Sequence, residues 1–230
     1  MRLKDFITIA VVAILLTPFF VSSDVYSFYK EFNASHGMIT SFIKFAILAT
    51  FGETIGLRIR TGSYNQPGFG IIPRAIVWGF LGLTINMSFI IFSKGTIPFL
   101  EYMGMQNPGA ILNGNLTATK VLVAFCISAT LNLIYAPVMM TLHKITDIHI
   151  TNNGGTIAGL LKPIKMGNIM ASMNWKVQWD FIFKKTIPFF WIPAHTITFL
   201  LPADFRVLFA AVLGIALGIL LAIGSLKSAK

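Results

Sequence analysis

Residues 37–57, GMITSFIKFAILATFGETIGL, form a run of 21 mostly apolar residues with Lys44 and Glu53 in its interior. As a helix rising about 1.5 Å per residue, it is long enough to cross a hydrocarbon core about 30 Å thick. A charge inside such a segment costs roughly 3 kcal/mol on insertion scales, so each needs water, a partner or a way to the surface. The two cannot neutralise each other on one helix. A separation of nine residues, at about 100° each, puts them about half a turn apart and about 13 Å apart along the axis. Each must therefore look to a different neighbour or to a wet cavity, and any fold for this chain has to provide for both.

The rest of the chain is built from the same material. Hydrophobic residues make up 55% of the 230 and charged residues 11%, which excludes an ordinary soluble domain and a disordered chain. A single membrane domain over residues 1–230 is expected. Cys126 is alone in an apolar run, so no disulfide framework exists. A net charge of +10 raises the question of nucleic acid, but the cations lie between apolar segments. That placement suits anionic lipid headgroups and argues against a nucleic-acid partner.

Hydropathy and breakers predict an all-α polytopic bundle of six transmembrane helices, at about residues 6–22, 37–57, 74–93, 118–142, 186–201 and 205–224. The first is read as a retained helix rather than a signal peptide, because its apolar run is longer than usual. Residues 23–36 read as a polar linker, and residues 57–73 as a loop broken by Gly62, Pro67, Gly68 and Gly70. Short interfacial helices are expected at 97–103 and at 175–185, the latter with Trp175, Trp179, Ile182 and Phe183 on one face. Gly79, Gly82 and Asn86 mark a face that another helix can approach closely. Ala210, Gly214, Gly218 and Ala222 form a second such seam.

Loop charges predict the orientation. With both termini cytoplasmic, the inner segments hold Arg2, Lys4, Arg58, Arg60, Arg74, Lys144, Lys162, Lys165, Lys176, Lys184, Lys185, Lys227 and Lys230. The outer segments hold only Lys30, Lys94, Lys120 and Arg206. This is the bias of the positive-inside rule.

Catalytic and metal signatures are missing from the sequence: there is no HExxH, CxxC pair, GxSxG or phosphate-cradling loop, so neither an enzyme nor a cofactor is expected. His143, Asp147 and His149 read as a solvated face beyond the fourth span. Two readings stand for Lys44: it snorkels to the outer surface with its stem in lipid, or it lines a cavity. Glu53 is expected in an ion pair, with Arg58 and Arg60 the nearest cations in sequence. Ser128, Asn132 and Tyr135 make a polar row ahead of Pro137. Asn86, Asn132, Tyr135 and His195 suit hydrogen bonds between helices, but their spread over several spans favours a shared polar interior.

The first expectation is thus a channel or small-solute transporter whose path is lined by Lys44, Glu53, Asn86, Asn132, Tyr135, His195 and Arg206. Lys44 and Arg206 near the outer side imply a preference for small anions. The other reading is a membrane scaffold or assembly factor, in which Gly214 and Gly218 dock a partner helix or a second copy of the chain in a homo-oligomer.

Several short elements, in order, resemble the Mpv-seventeen/PMP-twenty-two family of small channel-like organellar membrane proteins. Asn132-Leu-Ile-Tyr-Ala-Pro137 is similar to its Gln-x-x-x-x-Pro element, and Gly52-Glu53 to its Gly-Asp. Arg74 followed by Gly79, Gly82 and Asn86 resembles its arginine and Gly-rich helix, with Asn86 in place of a His. Pro202-Ala-Asp-Phe-Arg206 resembles its Pro-x-x-x-Arg step, preceded by Trp191-Ile-Pro193. The resemblance implies a membrane pore or transporter of undefined substrate, here in a bacterial cytoplasmic membrane.

Overall fold

Apolar runs punctuated by glycine and proline leave the chain one way to satisfy its backbone in a lipid environment, which is helix. The computed structural model describes residues 3–228, without the side chains of 221 and 223–228. Of the cations in the charge balance, Arg2 and Lys230 lie outside the described residues, and of Lys227 only the backbone is described. Every regular element among the described residues is helical. Five helices are long and apolar enough to cross a membrane: Leu3–Val21 (α1), Gly37–Thr61 (α3), Ile71–Tyr102 (α4), Ala118–Asn152 (α6) and Ala203–Leu220, the described part of α11.

The chain divides into two units, Met1–Thr40 and Ser41–Lys230. In the first, α1 buries none of its side chains. The expected linker is instead a helix, α2 (Ser23–Ser35): Ser22 caps it by accepting from the Val25 N–H, and Asp24 sits in its first turn. Phe19 meets Tyr29 edge to face at 5.6 Å.

In the second unit the helices outrun their expected ends. The chain of α3 continues past residue 57 because Arg58 and Arg60 suit a helix C-terminus, and it stops at Gly62, whose φ of +79° is left-handed. The stretch expected as a separate interfacial helix at 97–103 is the last part of α4. Thr96 is buried there and shares a 2.8 Å hydrogen bond with Thr130 of α6, which ties the helix down beyond Lys94. Likewise α6 runs ten residues past 142: Ile145 packs on Ile169 and Met173, and His149 and Ile150 are buried as well.

Short helices α5 (Pro108–Asn113), α7 (Ile157–Leu160), α8 (Met166–Ser172) and α9 (Trp175–Val177) fill the connections. After α9, Gln178–Trp191 is wound as a π-helix and passes directly into α10 (Ile192–Leu200). The Ile192 N–H accordingly reaches back five residues to the Ile187 carbonyl. The expected surface helix at 175–185 and the expected span at 186–201 are thus one continuous helical rod. The core where α3, α4, α6, α10 and α11 meet holds Phe45, Ile85, Phe89, Ile127, Leu131, Phe199 and Ala211.

Close backbone approach holds α3 on both sides. A Cβ on Gly79 would fall 2.5 Å from the Phe42 ring, and one on Gly82 would fall 2.8 Å from the Ser41 carbonyl oxygen. On the other flank, a Cβ on Gly218 would fall 2.7 Å from the Gly52 carbonyl oxygen, and one on Gly52 would fall 2.8 Å from the Ile215 Cα. The α11 seam therefore packs on α3 of the same chain.

Candidate functional site

Glu53 is the centre of a charged cluster. It projects from α3 toward α4 and α6, and its ion-pair partner is Arg74, 21 residues on in the chain. Its Oε2 lies 2.7 Å from Arg74 Nη1, and its Oε1 accepts from Trp78 Nε1 at 2.8 Å and lies 3.0 Å from His143 Nε2. Arg74 also pairs with Asp147, donates from Nε to the Phe69 carbonyl at 2.7 Å, and lies over the Phe69 ring. Lys144 approaches Asp147 at 3.7 Å. Arg74 and Trp78 are one turn apart on α4, and His143 and Asp147 one turn apart on α6, so each helix presents two groups on a single face. His143 and Asp147 are thus engaged side chains rather than a solvated face. His149 is buried, with its Nε2 3.3 Å from the Leu160 carbonyl.

Two cavities meet at this cluster. The inner one, of about 230 Å³, is lined by side chains of α3, α4, α6, the π-helical segment, α10 and α11. The outer vestibule, of about 570 Å³, is bordered by Arg60, Gln66, Phe69, Arg74, Asp147 and Thr151. Glu53, His143, Lys144 and Gly218 border both.

Four of the seven expected path residues border the inner cavity: Glu53, Asn132, Tyr135 and His195. The polar groups among them also join helices. The Asn132 carboxamide lies 3.0 Å from His195 Nδ1 and donates to the Ser128 carbonyl at 2.8 Å. Ser128 Oγ donates to the Ile192 carbonyl at 2.7 Å, and Tyr135 shares a 2.7 Å hydrogen bond with Thr84 of α4. His195 stacks on Trp191 at 5.1 Å and meets Phe89 edge to face at 5.4 Å. Cavity lining and helix joining are therefore combined in the same side chains. Tyr135→Phe removes the hydroxyl that Thr84 and Ser88 meet and keeps the ring, so a loss of about 1–2 kcal/mol is expected in detergent unfolding.

The other three lie elsewhere. Lys44 is buried at 7% exposure, within electrostatic reach of Asp204, and does not border the cavity. Arg206 closes the end of α10, donating from Nε to the Leu201 carbonyl at 3.0 Å and from Nη2 to the Phe199 carbonyl at 3.2 Å. Asn86 is half-buried and falls on the helix face of Gly79 and Gly82, outside the cavity. Trp78, Lys144, Gln178, Thr186 and Trp191 border the cavity and were not legible as a set in the sequence.

No protein-family model matches the chain, and neither a curated protein nor a solved structure matches it. Fold and site together describe an all-helical protein, rich in helices of membrane-spanning length, with one inner cavity closed at one end by an ionic cluster.

Proposed function

We propose that this chain is a six-span membrane protein acting as a channel or small-solute carrier. The rod Gln178–Leu200 is the sixth span, and the termini and the Glu53 cluster lie on the cytoplasmic side. The observation that carries the reading is the meeting of two cavities at Glu53, with hydrogen-bonding side chains of four helical elements around the inner one. Interhelical bonding alone would not require a void. The loop-charge bias supports the orientation. The resemblance to the Mpv-seventeen/PMP-twenty-two family supports the class, since Glu53, Arg74, Asn132 and Pro137 carry it and the first three belong to this site.

Purified protein in liposomes is expected to pass small solutes, and Met139→Trp, which fills the inner cavity, is expected to reduce the flux at least about tenfold. Lys44→Met lies off the cavity and is expected to leave the flux near wild type. Absence of flux from well-folded wild type, or full flux through Met139→Trp, would remove the proposal.

A further inference from the structure

The inner cavity has mostly apolar walls, including Phe45, Phe89, Leu131 and Leu217, yet two buried N–H groups on its lining residues have no acceptor in the protein. They are the Gln178 carboxamide, on a residue 6% exposed, and the Trp191 indole, on a residue 9% exposed. Buried donors are costly to leave unpaired, and lipid chains offer them nothing. The unpartnered atoms are the Gln178 Nε2 and the Trp191 Nε1, both donors only, so what complements them carries acceptor atoms.

Gln178 stands where the rod enters the bundle, the end at which α6 also brings Lys144 to the cavity wall. A donor and a cation thus share one end of an apolar chamber. Glu53 borders the same end, but Arg74 holds its Oε2, and Trp78 and His143 hold its Oε1. Asp147 is likewise taken up by Arg74 and Lys144. A bare inorganic ion would lose its hydration against such walls. The volume of about 230 Å³ takes a body larger than benzene, for which a cavity of about 150 Å³ is enough.

We infer that the inner cavity binds an amphipathic monocarboxylate, with its carboxylate at Gln178 and Lys144 and its apolar body between Phe45, Phe89 and Leu131. The Trp191 N–H, farther along the rod, is met by a second acceptor on the occupant or by a water carried in with it. The inference deepens the transport reading by naming its substrate class, but binding is read at equilibrium and needs no flux.

The test is saturable binding of radiolabelled octanoate to the full chain in lipid nanodiscs, with protein-free nanodiscs subtracted. Unlabelled octanoate and benzoate are expected to displace the label, while acetate, which lacks the body, and octanol, which lacks the charge, are expected to fail at the same concentration. Gln178→Leu and Lys144→Gln should each weaken binding about tenfold, as loss of a hydrogen bond to a charged group does. Lys94→Gln, an exposed residue outside the cavity, should change nothing. Monodisperse elution of each variant separates lost binding from lost folding. No saturable binding by wild type, equal displacement by acetate, or wild-type affinity in both cavity variants would overturn the inference. Octanoate binding without flux would sink the transport reading and leave this one standing; flux of a polar solute such as glycerol without octanoate binding would do the reverse.

Discussion

Arg74→Gln is expected to lower the stability of the folded chain by about 3–5 kcal/mol, read as a large drop in unfolding temperature in a mild detergent. Arg74 is buried and is the one strong cation bonded to both Glu53 and Asp147 among the described residues, while its Nε also satisfies the Phe69 carbonyl. Removing it leaves two carboxylates facing each other across a site from which much of the water is excluded. Trp78 and His143 still hold one Glu53 oxygen, but a neutral indole and an imidazole do not replace a guanidinium. Arg74→Lys is expected to recover only part of the loss, because an ammonium cannot span both carboxylates and the carbonyl. If the cost is that of stranded charges, Glu53→Gln in the Arg74→Gln background should be milder than Arg74→Gln alone, since it removes one of the charges left behind. Additive losses would show that the cluster acts through packing rather than charge.

The same cluster shows where the sequence stops being readable. The charges of residues 37–57 demand partners, and the demand was legible from helix geometry alone. The partner was not, because Arg58 and Arg60 are nearer in sequence, but Arg58 lies over the Tyr64 ring and Arg60 reaches back toward Gly56, whereas Arg74 arrives only when α4 packs against α3. His143 and Asp147 show their one-turn spacing in the sequence, but ending the fourth span at residue 142 places them in water. The burial of Ile145 decides the matter, and it depends on Ile169 of α8 and Met173 just past its end. The polar row on α6 could be seen from spacing. That it combines helix joining with cavity lining could not, because a void is a property of several helices at once. Gln178 and Trp191 were hidden for a simpler reason: they line one rod that the sequence breaks into a surface helix and a proline-containing span.

Gly218→Leu tests a close backbone contact between two long helices, and a loss of about 3 kcal/mol or more is expected, at or beyond the top of the usual range for overpacking. The neighbour of the missing Cβ is the Gly52 carbonyl oxygen at 2.7 Å, a backbone atom that no change of rotamer moves away. Even Gly218→Ala must part α3 from α11, and Gly52→Ala should do the same from the opposite side, against the Ile215 Cα at 2.8 Å. Because Glu53 follows Gly52, displacing α3 also draws the carboxylate off Arg74, so the unfolding temperature and the cavity are expected to suffer together. A control isolates the contact from helix propensity. Gly95 lies inside α4 with nothing within 4 Å of the place a Cβ would take, so Gly95→Ala should be neutral or gain about 0.5–1 kcal/mol. The same pair of variants bears on the scaffold reading. A seam already filled by α3 makes Gly218→Leu a defect of the single chain, seen as lower stability at unchanged oligomeric state on native gels. Full stability with a lost complex would instead show that α11 presents this seam to a partner.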